Sequence, residues 1–166
     1  MLRKAYRKGA LGALMDEYER TASELRRLVE QIPDNEFVRI VDPQTSDENC
    51  RSIQTIMAHV VSAGYGYADY IRPLFSISST RTPKRLLSRE ESVAQLEAML
   101  EYTAQTLEGR WEMTDEEIES MTIPSRWGVT YNLEQLLEHA IVHILRHRRQ
   151  IEKFMLQGEI AAQSDV

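Results

Sequence analysis

One cysteine, Cys50, stands in a chain of 166 residues, which excludes an internal disulfide and suits a reducing compartment. No apolar run approaches the ~18 residues a membrane span requires. Positive charge is the scarcer sign, with 20 Lys and Arg against 26 Asp and Glu for a net −6. An acidic chain with no large basic face is a poor nucleic-acid binder. No alternating pattern persists long enough for a strand, no repeat is visible, and no segment is of low complexity. Histidine is scarce too: there are four, His59, His139, His143 and His147, and none falls in a predicted loop.

What remains is helical periodicity. At 42% apolar content the chain can bury one core, and residues 1–166 are read as a single domain. The first fifteen residues carry four basic side chains and no acid, as transit peptides do. However, the stripe from Leu11 through Leu14, Met15, Tyr18, Ala22, Leu25, Leu28 and Val29 to Ile32 continues unbroken, so the better reading is one helix over roughly 9–32, ending at Pro33. The expected location is cytoplasmic. A polar connection follows over 34–49. Ser52 is a good N-cap for a helix over 52–75. Ser88 and Glu91 have capping-box spacing for a third helix over 88–108, with Val93, Leu96, Met99, Leu100, Ala104 and Leu107 as its buried stripe and Gly109 as its stop. An irregular acidic stretch, in which TDEEIES suggests a short helical turn, leads through Pro124, Trp127 and Gly128 to a last helix over 132–157. Four amphipathic helices without strands predict an all-α four-helix bundle. The connections are too long for a strictly up-down arrangement, so at least one long crossover is expected.

The last helix carries the chemistry. His139, His143 and His147 are each four residues apart, and a step of four advances about 40°, so they share a face with imidazoles near enough to grip one ion. A lone histidine on a helix is more often a surface or satisfied core residue. Here the three lie among Leu133, Leu136, Leu137, Val142 or Ile144, Ile151 and Phe154, on a core-facing stripe where an uncharged imidazole needs a partner. On the second helix, Ala63 and Gly66 follow His59 on its face. They either leave room for a substrate or let a neighbouring helix approach, and both readings stand. Cys50 is read as structural, outside the ligand face and without a basic partner.

The residues three before each histidine are Ile56, Leu136, Ala140 and Ile144, which excludes the Glu-x-x-His of di-iron bundles. His-Glu-x-x-His fails as well, because Ala140 and Ile144 stand where Glu is required. A mononuclear all-histidine site with three protein ligands and an open position is what is left, the arrangement of catalytic rather than structural centres.

SIQTIMAHV, with Ser52 seven residues before His59, resembles the start of the second helix of the DinB/YfiT-like (DinB) superfamily. LLEHAIVHILRHRRQI resembles that family's final helix, where a histidine, three residues and then His-Arg-Gly-Gln recur. The resemblance implies a four-helix bundle holding one divalent metal per chain, zinc or nickel, through His59, His143 and His147, with His139 one turn outside the triad. Arg149 stands where the family has glycine, which would alter local packing or access. Members of known activity act on low-molecular-weight thiols by thiol transfer, thiol-dependent isomerisation or amide hydrolysis. The resemblance therefore implies a metal-dependent transferase or hydrolase with a small-molecule substrate, a low-molecular-weight thiol being the first choice. Gln150, on the face of His143, and Arg148, kept from the motif alone, are the candidates for supporting the ligands or touching substrate. The alternative is a non-catalytic metal-binding bundle acting through protein partners or in a stress response. Neither nucleic acid nor membrane is an expected partner, and the oligomeric state is left open, a homodimer among the options.

Overall fold

Four long helices form the molecule's frame. The computed structural model describes residues 6–81 and 83–164, with the side chains of 158–164 outside the description, and the basic residues 1–5 also lie outside it. Helix α1 covers Gly9–Glu30, α3 Ile53–Ile71, α4 Arg89–Leu107 and α6 Leu133–Ser164; two short helices, α2 at Asp34–Val38 and α5 at Asp115–Ser120, sit in the connections. Helix α1 packs on α4 and α6, and α3 packs on the same two. The diagonals of the bundle are therefore α1/α3 and α4/α6. The α1–α3 and α4–α6 connections each cross a diagonal, whereas the α3–α4 connection joins neighbours. This is the four-helix bundle with long crossovers expected from the periodicity.

Local chemistry explains the helix starts. The Ser52 hydroxyl accepts the Thr55 N–H while Thr55 Oγ1 accepts the Ser52 N–H. Ser88 and Glu91 exchange the same pair of bonds, as do Thr114 and Glu117 at the start of α5. Each box satisfies N–H groups that a helix start otherwise leaves unpaired. Asn132 and Gln135 do the same for α6.

The core is the expected set of apolar stripes, including Leu11, Met15, Tyr18 and Leu25 of α1, Ile56 and Met57 of α3, Leu96 and Met99 of α4, and Leu136, Leu137 and Ile144 of α6. Val142 is exposed, so Ile144 is the inward residue of that pair. Helix α4 buries Leu96, Met99 and Leu107 of its expected stripe, and polar residues are buried beside them. Ser92, Tyr102, Thr103 and Thr106 are buried on it, while Val93, Leu100 and Ala104 are only partly buried. A polar network accompanies the burial of Tyr102 and Thr106. Arg72, at the end of α3, lies 3.9 Å over the Tyr102 ring and donates to Thr106 Oγ1 at 3.0 Å and to the Ser78 carbonyl at 3.0 Å. Tyr102 in turn donates to Asp69 at 2.8 Å. Buried polar groups that find partners cost little, so the face that α4 buries is wider than its apolar stripe.

The connections carry more structure than their polar composition suggests. In the first, α2 buries Phe37, and a 3-10 turn at Glu48–Cys50 leads into α3. In the last, Ile123–Pro124 pairs antiparallel with Thr130–Tyr131, a two-residue ladder where no strand was expected. The Ser125 hydroxyl and N–H bond the Val129 carbonyl at 2.6 and 2.9 Å. Gly128 has φ +85, a conformation that side chains disfavour, and it closes the tight turn that presents Arg126 and Trp127. No helix among the described residues is long and apolar enough to cross a membrane.

Candidate metal centre

Helix α3 supplies one imidazole and α6 two, each directed across the interface between these packed helices. His59 Nε2 lies 3.0 Å from His143 Nε2. The ring centroids are 4.9 Å apart for His59 and His143, 5.0 Å for His59 and His147, and 4.5 Å for His143 and His147. One ligand nitrogen from each falls within 4.8 Å of the others, and this group consists of these three residues. The i, i+4 spacing sets His143 edge-to-face with His147 at 70°, and the α3–α6 packing brings His59 to face both at nearly equal distance.

Burial controls their charge. It lowers the His59 pKa to about 4, with His147 and Lys84 adding to the effect. It lowers His143 to about 3, helped by the two neighbouring imidazoles, and it also lowers His147. All three are thus neutral at pH 7 and can offer lone pairs. Two nitrogens bound to one tetrahedral ion at about 2.0–2.1 Å would be about 3.3 Å apart, close to the 3.0 Å between His59 and His143. The donor set fits a divalent transition metal.

The supporting groups sort the remaining candidates. His147 Nδ1 donates to Gln150 Oε1 at 3.1 Å, which fixes the tautomer that leaves Nε2 free for a metal. Gln150 thus stands where the helical step put it. The same oxygen accepts from Cys50 Sγ at 3.7 Å. Cys50 was expected away from this face; the turn at Glu48–Cys50 folds back and sets it against Gln150. Burial raises the Cys50 thiol pKa, so the group stays protonated. Arg148 is not brought to the cluster. Its guanidinium pairs with Glu24 of α1 and lies beside Glu152. Arg149 is exposed. His139 is held outside the triad, its Nδ1 3.3 Å from the Tyr131 hydroxyl and its ring stacked on Trp127 at 5.6 Å.

A cavity of about 420 Å³ runs from His59 along α3, past Ala63 and Gly66, to Trp127 and His139. For Gly66 the first of the two readings, room beside His59, fits the structure, and the close helix approach falls to Gly64, which sequence reasoning did not single out. A Cβ on Gly66 would meet only an Arg81 guanidinium nitrogen at 3.6 Å, whereas one on Gly64 would collide with the Met99 thioether. Gly64 therefore permits the close approach of α4, and Gly66 opens the cavity. Sequence reasoning missed the cavity's Tyr67, Tyr70, Arg81 and Arg126. Tyr67 and Tyr70 continue the His59 face at helical spacing, and Ser-Arg-Trp-Gly is a turn signal, but Arg81 lies in a connection without periodicity.

The facing helices of this four-helix bundle converge three neutral imidazoles in a group geometrically able to hold a metal ion. The DinB family model matches residues 1–158, and the chain belongs to the DinB family. A search of curated proteins returned no match.

Proposed function

We propose that this chain is a divalent-metal-dependent enzyme acting on a small molecule, with thiol-transferase-like chemistry and one zinc or nickel ion held by His59, His143 and His147. The observation that carries the reading is the convergence of three neutral imidazoles, one of which, His59, also lines a cavity large enough for a small molecule. When bound, a divalent ion with three neutral ligands supplies Lewis acidity that lowers the pKa of a thiol or water reaching it. The chain's own residues do the rest. Desolvation keeps His59 and His143 deprotonated, Gln150 orients His147, and Ala63 and Gly66 leave space beside His59 for the second reactant. Cys50, held protonated, does not compete as an internal thiolate. A thiolate is soft and anionic and suits such a site, so a low-molecular-weight thiol is the preferred substrate. The cavity supports this reading over a bundle whose metal is purely structural and which acts through protein partners.

Cobalt substitution tests it. Titrating small thiols into the cobalt protein should produce a thiolate-to-metal charge-transfer band in the near ultraviolet. Thiols that leave the spectrum unchanged, with hydroxide altering it, would favour a hydrolase instead.

A further inference from the structure

We propose that the cavity beside the histidine cluster is a subsite for the anionic group of a small substrate, a carboxylate or phosphate carried on a flat apolar body, with Arg126 as the cation that receives it. This rests on the reading of the cluster as a reaction site for a small molecule, and it names the class of molecule.

The charge of the lining is the first observation. The chain carries net −6, yet among the described residues the cavity is lined by two arginines, Arg81 and Arg126, and by no carboxylate. The two cations are not equivalent. Arg81 Nε is 2.7 Å from an Asp69 oxygen, and its terminal nitrogen donates to the Ser62 carbonyl at 3.2 Å. Asp69 is itself anchored by the Tyr102 hydroxyl, so Arg81 is a neutralised, fixed wall. Arg126 has no acidic partner among the described residues. Its Nε and its backbone N–H both donate to the Tyr70 hydroxyl, at 3.2 and 3.1 Å. That leaves the terminal guanidinium nitrogens, the fork that matches a carboxylate or phosphate, without an acceptor among the described residues. The Tyr70 bonds and the Ser125–Val129 turn hold the residue over the cavity before any ligand arrives, which reduces the ordering a ligand must impose.

The shape of the cavity defines the rest of the molecule. Trp127 stands nearly perpendicular to Tyr67 and Tyr70, at 83° and 86° with centroids 6.4 and 5.8 Å away. These rings give flat apolar walls between the arginine and His59. Gly66 faces the same space. A glycine inside a helix weakens it relative to alanine, and here the return is volume rather than helix packing, since its Cβ direction is open up to Arg81. A ligand with its anion on Arg126 and its body on the aromatic walls extends toward His59.

Calorimetric titration of the chelator-treated protein with benzoate and with benzamide, its neutral counterpart, tests this away from any metal. Benzoate should bind saturably, and benzamide at least about tenfold more weakly, as loss of a charge-assisted pair implies. Arg126→Gln should bring benzoate down to the level of benzamide without changing the helical circular dichroism. Gly66→Leu, and independently Ala63→Leu, should abolish binding of both while the helices persist. Phenyl phosphate in place of benzoate distinguishes the two oxyanions. Absence of benzoate binding, equal binding of benzamide, or benzoate affinity unchanged in Arg126→Gln would each overturn the proposal. The metal reading fails separately: His143→Ala retaining as much zinc as the parent would sink it while leaving benzoate binding to the metal-free protein as it was.

Discussion

His59 and His143, 84 positions apart in the chain, bring their Nε2 atoms to 3.0 Å from one another across the α3–α6 interface. Two neutral imidazoles can satisfy that contact by sharing one proton, and a cation can satisfy it with both lone pairs. The third ring, His147, turns a pair into a triad, and Gln150 holds that ring's other nitrogen.

Removing that support should weaken the site without dismantling it. Gln150→Leu deletes the acceptor of the His147 Nδ1–H and should reduce zinc affinity by about 10–100-fold, the usual cost of losing such a partner. Arg148→Ala is the contrast. It breaks a partly exposed pair with Glu24, so it should cost below about 1 kcal/mol of stability and leave zinc affinity unchanged. Competition with a chromophoric chelator measures both; equal losses in the two variants would contradict this division of roles.

The histidines also make the metal-free protein acid-sensitive. Their ordinary pKa is 6.5, and burial lowers His59 to about 4 and His143 to about 3. Above pH 6.5 the folded and unfolded chains are both neutral at these sites, and stability does not depend on them. As pH falls below that value the unfolded chain takes up protons that the folded chain refuses, so stability declines until the folded groups titrate near pH 4 and 3. Thermal melts of chelator-treated protein should show the melting temperature falling across this window. His59→Gln and His143→Gln should each flatten the fall, and a profile identical to the parent would contradict the assignment.

The two glycines of α3 should respond with opposite signs. Gly64→Val drives a side chain into Met99, and overpacking of this kind costs about 1–3 kcal/mol. Gly66→Ala meets ordinary contact distance and should stabilise the helix by about 0.5–1 kcal/mol. Denaturant unfolding of both variants reads the difference directly.

Much of this site was legible before any coordinates. The i, i+4 spacing put His139, His143 and His147 on one face without separating His139 from the other two, Gln150 at seven residues from His143 fell beside them, and the N-cap at Ser52 and the capping box at Ser88 located the helix starts. His59 could be joined to them only through the resemblance, because nothing local encodes which helices face each other. The connections were the opaque part. Cys50 touches Gln150, and Arg126 and Trp127 reach the cavity, through turns whose polar sequences carry no period. On α4 the apolar stripe was legible, but the Arg72–Tyr102–Thr106 network buried beside it has no apolar period to reveal it.

Metal should not be required for folding. The apolar stripes of α1, α3, α4 and α6 meet in one cluster, so the frame does not depend on a bound ion as zinc-finger-sized domains do. Chelation should preserve the far-ultraviolet helical signal, and added zinc should raise the melting temperature through preferential binding to the folded state. Loss of helix on chelation would make the site structural.

The central claim is that His59, His143 and His147 hold one divalent metal per chain and His139 does not. Elemental analysis of protein purified without an affinity tag, alongside the four single histidine-to-alanine variants, tests it most directly. About one zinc or nickel per chain is expected in the parent and in His139→Ala, with most of it lost from His59→Ala, His143→Ala and His147→Ala. Equal metal content in all five proteins, or loss in His139→Ala alone, would contradict it.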